Sequence, residues 1–356
     1  MSAAAAAAED VRRAAHACQA TAALRRRPPR SSVPAVAPGE EPSAASDPIV
    51  FRVGLDGRGG VAPVDEAPGR WTHYRMAGEG VDELMERRRI EEHVAEAMLE
   101  GDARPRATPS DDGLLVVLRG VNLNPGADPE DMVSMRAWLD AERIVTVSRR
   151  RVLAIEDVRA TLDTGDGPRR PSDVLAAIAE RLVERMRPVV DGIEETVDEL
   201  HERMLREGTD GLQRPLADLR HEIATLRRHM APQREALEQL ARLRTPWLDE
   251  DFAEQLQEAA NRQVRYVEDL GAVRERASVL QDELNNAIAT RMSHNTYLLS
   301  VVAAVFLPLG LLTGLLGINV GGMPGSESPA AFWVVCALLG VLAAAQVWFF
   351  RRQRML

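Results

Sequence analysis

Two stretches without a charged side chain decide most of what this sequence can fold into. Tyr297 to Leu316, YLLSVVAAVFLPLGLLTGLL, and Ala330 to Phe350, AAFWVVCALLGVLAAAQVWFF, are each about 20 residues long, enough for a helix to cross the ~30 Å hydrocarbon layer of a bilayer. Neither has the polar stripe of a soluble amphipathic helix, and both carry residues that weaken a buried soluble helix, Pro308, Gly310 and Gly314 in the first and Gly340 in the second. Phe332 and Trp333 at one end of the second run, and Trp348 to Phe350 at the other, suit the two membrane interfaces. After this run comes RRQRML, whereas the connecting segment has no basic residue and one acid, Glu327. The positive-inside rule then places both termini in the cytoplasm and the segment GINVGGMPG outside. Two spans cannot enclose a polar pathway, so a conducting protein would have to be an oligomer.

Upstream of the first span the pattern predicts one long helix. Thr245 and Pro246 form a start signal, and Asp249, Glu250 and Asp251 follow where the helix dipole favours acids. No proline interrupts the run before Pro308, so Trp247 to Leu316 would extend on the order of 100 Å. Projected at about 100° per residue, Thr296, Ser300, Ala303, Ala304, Leu307, Gly310, Gly314 and Ile318 share one side. Val301, Val302, Val305, Phe306, Leu309, Leu312, Thr313 and Leu316 share the other. The small side would face sister helices or a pore, although Gly310 and Gly314 are equally a helix-dimerisation pair. Followed back, the small side continues through Ser293, Ala289, Asn285, Asn286, Asp282, Ser278, Glu275 and Glu268, while Val273, Ala277, Leu280 and Leu284 make an apolar reverse face. Glu268, Glu275 and Asp282 recur every seven residues and would form carboxylate rings in a symmetric assembly. A solvated helix face is the plainer reading of the same residues.

The formal net charge is −10, which argues against a general affinity for nucleic acid. All 44 basic residues are arginine. Without lysine, a phosphate-loop lysine, a Schiff-base lysine or a kinase-type ion pair cannot be built. Cys18 and Cys336 support neither a disulfide framework nor a thiolate zinc site. HEIATLRRH opens like a zincin helix, but Thr225 stands where the second histidine is needed. DGRGG lacks the lysine of a phosphate loop. No nucleophile and base pair up and no cofactor loop is found, so the sequence reads as a non-enzyme.

Residues 1–47 read as a disordered tail, with a transit peptide as the lesser alternative. Ile49 to about Thr164 alternates strand-like and helix-like runs, an α/β or α+β domain, in which Asn122 and Asn124 belong to a turn. Pro171 to Gly208 and Leu212 to Arg244 are charged amphipathic helices that suit an antiparallel set on the apolar face of the long helix. The expected divisions are a tail over 1–47, an α/β domain over 48–170 and a helical hairpin over 171–245. A stalk over 246–296 leads into a pore helix over 297–316, an outer loop over 317–329, a second span over 330–350 and a basic end over 351–356.

FLPLGLLTGLLGINVGGMPG resembles the first membrane helix and signature loop of the CorA metal-ion transporter superfamily, in which a Gly-Met-Asn triplet ends that helix. Here the triplet is Gly317, Ile318 and Asn319, the form typical of the ZntB zinc-transporter branch, and LRGVNLNPGADPEDMVSMRAW with RIVTVSRRRVLAIEDVR is similar to the cytoplasmic domain of that branch. The resemblance implies a homopentameric funnel in the inner membrane with an α+β cytoplasmic domain. It implies an outer ring of Asn319 that holds a hydrated divalent cation, and pore-lining positions at Thr296, Leu299, Leu307, Gly310 and Gly314. Leu299 lies off the small side by the projection above. Gly310 stands where Mg²⁺ channels of the superfamily tend to have a hydroxyl residue. The expected cargo is Zn²⁺, with Asp282 or Glu275 as candidates for proton coupling and Leu307 as a hydrophobic constriction. The alternatives are a Mg²⁺ or Co²⁺ channel and a membrane-tethered coiled-coil scaffold that conducts nothing.

Overall fold

A strand whose successive side chains are all apolar has no face to give to water. Leu114 to Leu118 is such a run, and it lies buried inside a seven-stranded sheet. The structure is a computed structural model that describes residues 49–75, 90–101, 103–110, 112–317 and 330–352. The expected tail, Ile318, Asn319 and the end of the basic C-terminus lie outside the described residues. The strands are β1 (Ile49–Leu55), β2 (Val61–Ala62), β3 (Gly69–Arg75), β4 (Arg106–Ser110), β5 (Gly113–Gly120), β6 (Val133–Leu139) and β7 (Arg143–Ser148), in the spatial order β2-β1-β3-β7-β6-β5-β4. β3 and β7 run parallel, with Trp71 opposite Ile144 and His73 opposite Thr146, and the other pairings are antiparallel. The outermost strands are slight: β2 has two residues, and β4 carries Pro109.

Each face of the sheet is covered. On one, helix α1 (Glu92–Leu99) buries Val94, Ala95, Met98 and Leu99 with Tyr74, Leu115, Trp138, Val145 and Val147. On the other, helices α2 (Leu153–Thr164) and α3 (Pro171–Glu184) bring Ile155, Val158, Leu162, Val174, Ile178 and Leu182 against Leu55, Trp71, Val116, Leu118 and Ile144. The alternation of β5 explains both contacts, since Leu115 points one way and Val116 the other.

Helices α4 (Arg187–Glu207) and α5 (Gln213–Arg242) form an antiparallel pair, joined where Gly208 and Gly211 take φ of 86° and 77°. These are values that a side chain resists and glycine does not. Ahead of this pair, α3 lies in the layer over the sheet, because its Val174, Leu175, Ile178 and Leu182 stripe meets strand side chains. The end of α5, with Leu237 and Leu240, joins the same core as Phe252 and Leu256 of helix α6 (Glu250–Leu316). A last helix, α7, spans Ala331–Arg352. The chain divides into two units that part between Gln281 and Asp282.

The start of α6 differs from expectation. Thr245 and Pro246 belong to a turn closed by the Leu248 N–H on the Thr245 carbonyl at 3.2 Å, and Asp249 caps the helix by accepting the Phe252 N–H at 3.0 Å. The glycine-rich DGRGG is a turn organised by its own acid. Asp56 Oδ1 accepts the N–H groups of Arg58 and Gly60 at 2.7 and 2.8 Å, and these bonds hold its carboxyl below the usual range. Amides occupied by a carboxylate are not open to a phosphate. Asn122 and Asn124 likewise bond to each other in a turn, at 2.8 Å.

Candidate ion pathway

The part of α6 that precedes the candidate span is fixed by apolar packing on one side and arginine–carboxylate pairs along its flank. Val273, Ala277 and Leu280 are buried. Arg262 reaches Glu180 of α3 at 2.8 Å, Arg276 pairs with Asp198 of α4, and the Asp249 cap pairs with Arg170. The Arg170 and Phe252 bonds hold the Asp249 carboxyl below its ordinary range, against the opposing effect of partial burial. Glu268 and Glu275, by contrast, are exposed and have no ion-pair partner among the described residues. Asp282, at the head of the second unit, is exposed in the same way. The acids that brace the fold are thus different residues from those proposed to line a cation path.

In the second unit, Thr296, Leu299, Ser300, Ala303, Leu307, Gly310 and Gly314 are all exposed in the single chain; of the reverse side, Val301, Val305, Leu309 and Leu312 are half-buried, while Val302, Phe306 and Thr313 are exposed as well. A Cβ added at Gly310 or Gly314 would meet nothing within 4 Å, so packing within the protomer does not demand either glycine. The hydroxyls of this region turn back onto their own helix. Thr296 Oγ1 donates to the Met292 carbonyl and Ser300 Oγ to the Thr296 carbonyl, both at 2.9 Å, which leaves each oxygen's lone pairs available. Gly317 ends the helix, donating its N–H to the Thr313 carbonyl at 2.9 Å. Ile318 and Asn319, the rest of the triplet, lie outside the described residues. Among the described residues no three His, Cys, Asp or Glu side chains converge as a metal site.

Two polar residues that pattern reading passed over carry weight in the structure. Gln346 of α7 places its Nε2 3.4 Å from the Ala304 carbonyl of α6. The available signal was a lone amide in an apolar run. His73 is buried on β3, its Nδ1 3.0 Å from Thr146 Oγ1, and burial beside Arg75 pulls it down to about 4, so the ring is neutral.

Residues 69–352 match the family model described as CorA-like Mg²⁺ transporter protein, a stretch that takes in all but the edge of the sheet, the long helix and both candidate spans. The chain belongs to the CorA-like transporter family. Its CorA-like relatives include the divalent cation transporter CmaX of Pseudomonas aeruginosa, 40% identical over 323 residues, an alignment that covers 86% of this chain and 97% of that one. The zinc transport protein ZntB of Pectobacterium carotovorum is 33% identical over 315 residues, covering 85% and 94%. The solved structure of full-length CmaX superposes on this CorA-like chain with a TM-score of 0.73 at 38% identity, covering 88% of this chain and all of that one. The CorA-like fold expected from the residues around Gly317 therefore extends through the soluble domain, and the relatives carry both the ZntB and the CmaX names.

Proposed function

We propose that this CorA-like protein moves divalent metal cations across the inner membrane through a homopentamer whose pore is lined by α6, with Zn²⁺ as the cargo. The observation that carries the reading is the exposed row from Thr296 through Gly314. Apart from Leu299 and Leu307 it is made of small residues, it carries no charge, and its two glycines meet nothing within the protomer, as a surface would that waits for copies of itself and a pore. Asn319 at the end of that helix would bring one amide oxygen per subunit to the axis, where amides and carbonyls can hold a hydrated ion. Leu307 would narrow the path between. Glu268, Glu275 and Asp282 would gather cations at the cytoplasmic mouth, and Asp282 or Glu275 would carry a proton if transport is proton-coupled. Both termini would be cytoplasmic. The names of the ZntB and CmaX relatives support divalent cargo, and the ZntB name supports zinc.

The test is flux into proteoliposomes, Zn²⁺ against Mg²⁺, with and without a proton gradient, alongside native mass measurement of the assembly. Asn319→Ala should leave a five-subunit mass intact and lower flux by roughly tenfold or more, corresponding to about 1.4 kcal/mol of lost ion stabilisation. Mg²⁺ flux indifferent to pH would move the protein to the channel side of the family. No flux of either metal from a well-formed oligomer would leave a scaffold.

A further inference from the structure

Proline has no N–H, and its ring crowds the carbonyl four residues earlier, so a helix that runs through proline deprives that carbonyl of its donor. In α6 the proline is Pro308 and the carbonyl is that of Ala304. Within hydrocarbon there is no water to take the donor's place, and a neighbouring helix has to supply one. The structure shows that neighbour: Gln346 Nε2 of α7 donates to the Ala304 carbonyl oxygen at 3.4 Å.

The rest of the polar inventory makes this contact specific. The hydroxyls of Thr296, Ser300 and Thr313 bond to carbonyls of their own helix. Gln346 is the single amide in the run from Phe332 to Phe350. Its Oε1 is buried without a partner, so the amide is only half satisfied where it sits. An apolar residue would avoid that cost, and the carbonyl freed by Pro308 is what the amide offsets it with.

We propose that Gln346 is a positioning residue: it supplies the donor that Pro308 withholds and pins the second span to the first at the break in the helix ladder. The segment held in place this way leads from Pro308 to Gly310, Gly314 and Gly317, the outer half of the proposed pore face. The inference rests on reading α6 and α7 as membrane spans and is independent of which ion crosses.

A double-mutant cycle on the full chain, reconstituted in nanodiscs, tests it. Gln346→Leu strips the donor from the Ala304 carbonyl and should lower the thermal midpoint by about 2–5 °C. Pro308→Ala restores a backbone N–H to that carbonyl, so in this background Gln346→Leu should lower nothing, and removal of the unpartnered Oε1 should leave the midpoint equal or higher. Gln346→Met, which matches the side chain in length without a donor, stands in if the leucine variant does not assemble. An equal loss in both backgrounds would overturn the proposal, because the side chain would then act by packing alone. Flux is the second readout: a rate altered by Gln346→Leu should return toward that of the Pro308→Ala parent in the double variant, and an unrestored rate would count against the pinning role. A wild-type protein with no flux that still shows the thermal coupling would sink the transport reading and leave this one standing.

Discussion

His73 shows how a single side chain can make the soluble domain sensitive to acid. Its ring lies between Thr146 and Ser148 of the neighbouring parallel strand, with Phe51 against its face, and the charge of Arg75 adds to burial in holding it neutral. Glu156 opposes that effect and is itself held low, chiefly by its bond to Arg151. The folded value, about 4, lies below the ordinary histidine value of 6.5, so between these pH values the unfolded chain binds a proton that the folded chain refuses. The stability is therefore complete above about pH 6.5 and is lost as pH falls toward 4. By pH 5 the loss from this group should reach about 2 kcal/mol. Thermal midpoints of the wild type and of His73→Gln between pH 8 and pH 5 check this, since the variant should lack that part of the slope. Parallel slopes would assign the acid sensitivity to other groups.

Among the elements, α6 depends on its first turn for both its start and its docking. Asp249 caps the helix and holds Arg170, which is also bonded to Asp173 at the start of α3. Asp249→Ala should cost about 1–2 kcal/mol, whereas Asp249→Asn keeps a capping oxygen and should cost less than about 1 kcal/mol. Denaturation midpoints in the order wild type, Asn, Ala would support the dual role, and an Asn variant as weak as Ala would assign the whole effect to the ion pair. The long helix was legible in the sequence because nothing between Asp249 and Pro308 breaks it. Its first residue was not, because Thr245 with Pro246 and Asp249 are competing start signals, and only the Phe252 N–H bond decides between them. The place of α3 was hidden for a related reason: an apolar stripe announces that a helix packs, but not whether its partner is a sheet or another helix. Gln346 was hidden because its partner lies 42 residues away in sequence and is a backbone oxygen, which no residue pattern records.

At the scale of the whole molecule, the exposed acids of α6 acquire a role only by repetition. One Glu275 is a solvated carboxylate, whereas five around an axis would concentrate cations at the mouth of a pore. The triple variant Glu268→Gln, Glu275→Gln, Asp282→Asn should therefore slow divalent flux several-fold at low ionic strength, with the difference shrinking as salt approaches about 1 M, where charges are screened within about 3 Å. A deficit that persists at high salt would mean that these side chains touch the ion. The proposed pathway comes from the 3.6-residue projection of Thr296 to Gly314 and from the triplet that ends in Asn319, and to this the structure adds only that the projected side is exposed in one copy. The number of copies could not be read in this way, because a stripe of small residues marks a helix seam without saying how many helices share it.

The margins of the sheet bear on that assembly. A strand from another molecule would find two residues of ladder at β2, and at β4 a strand of five in which Pro109 has no N–H to offer. Only the β4 edge is a poor template along its whole length: β2 pairs with β1 at Gly54 and Leu55 alone, so Ile49 to Val53 of β1 has no second neighbour among the described residues. Copies in a crowded membrane would then be shielded from strand addition along β4, and any zippering of their sheets would have to begin at β1.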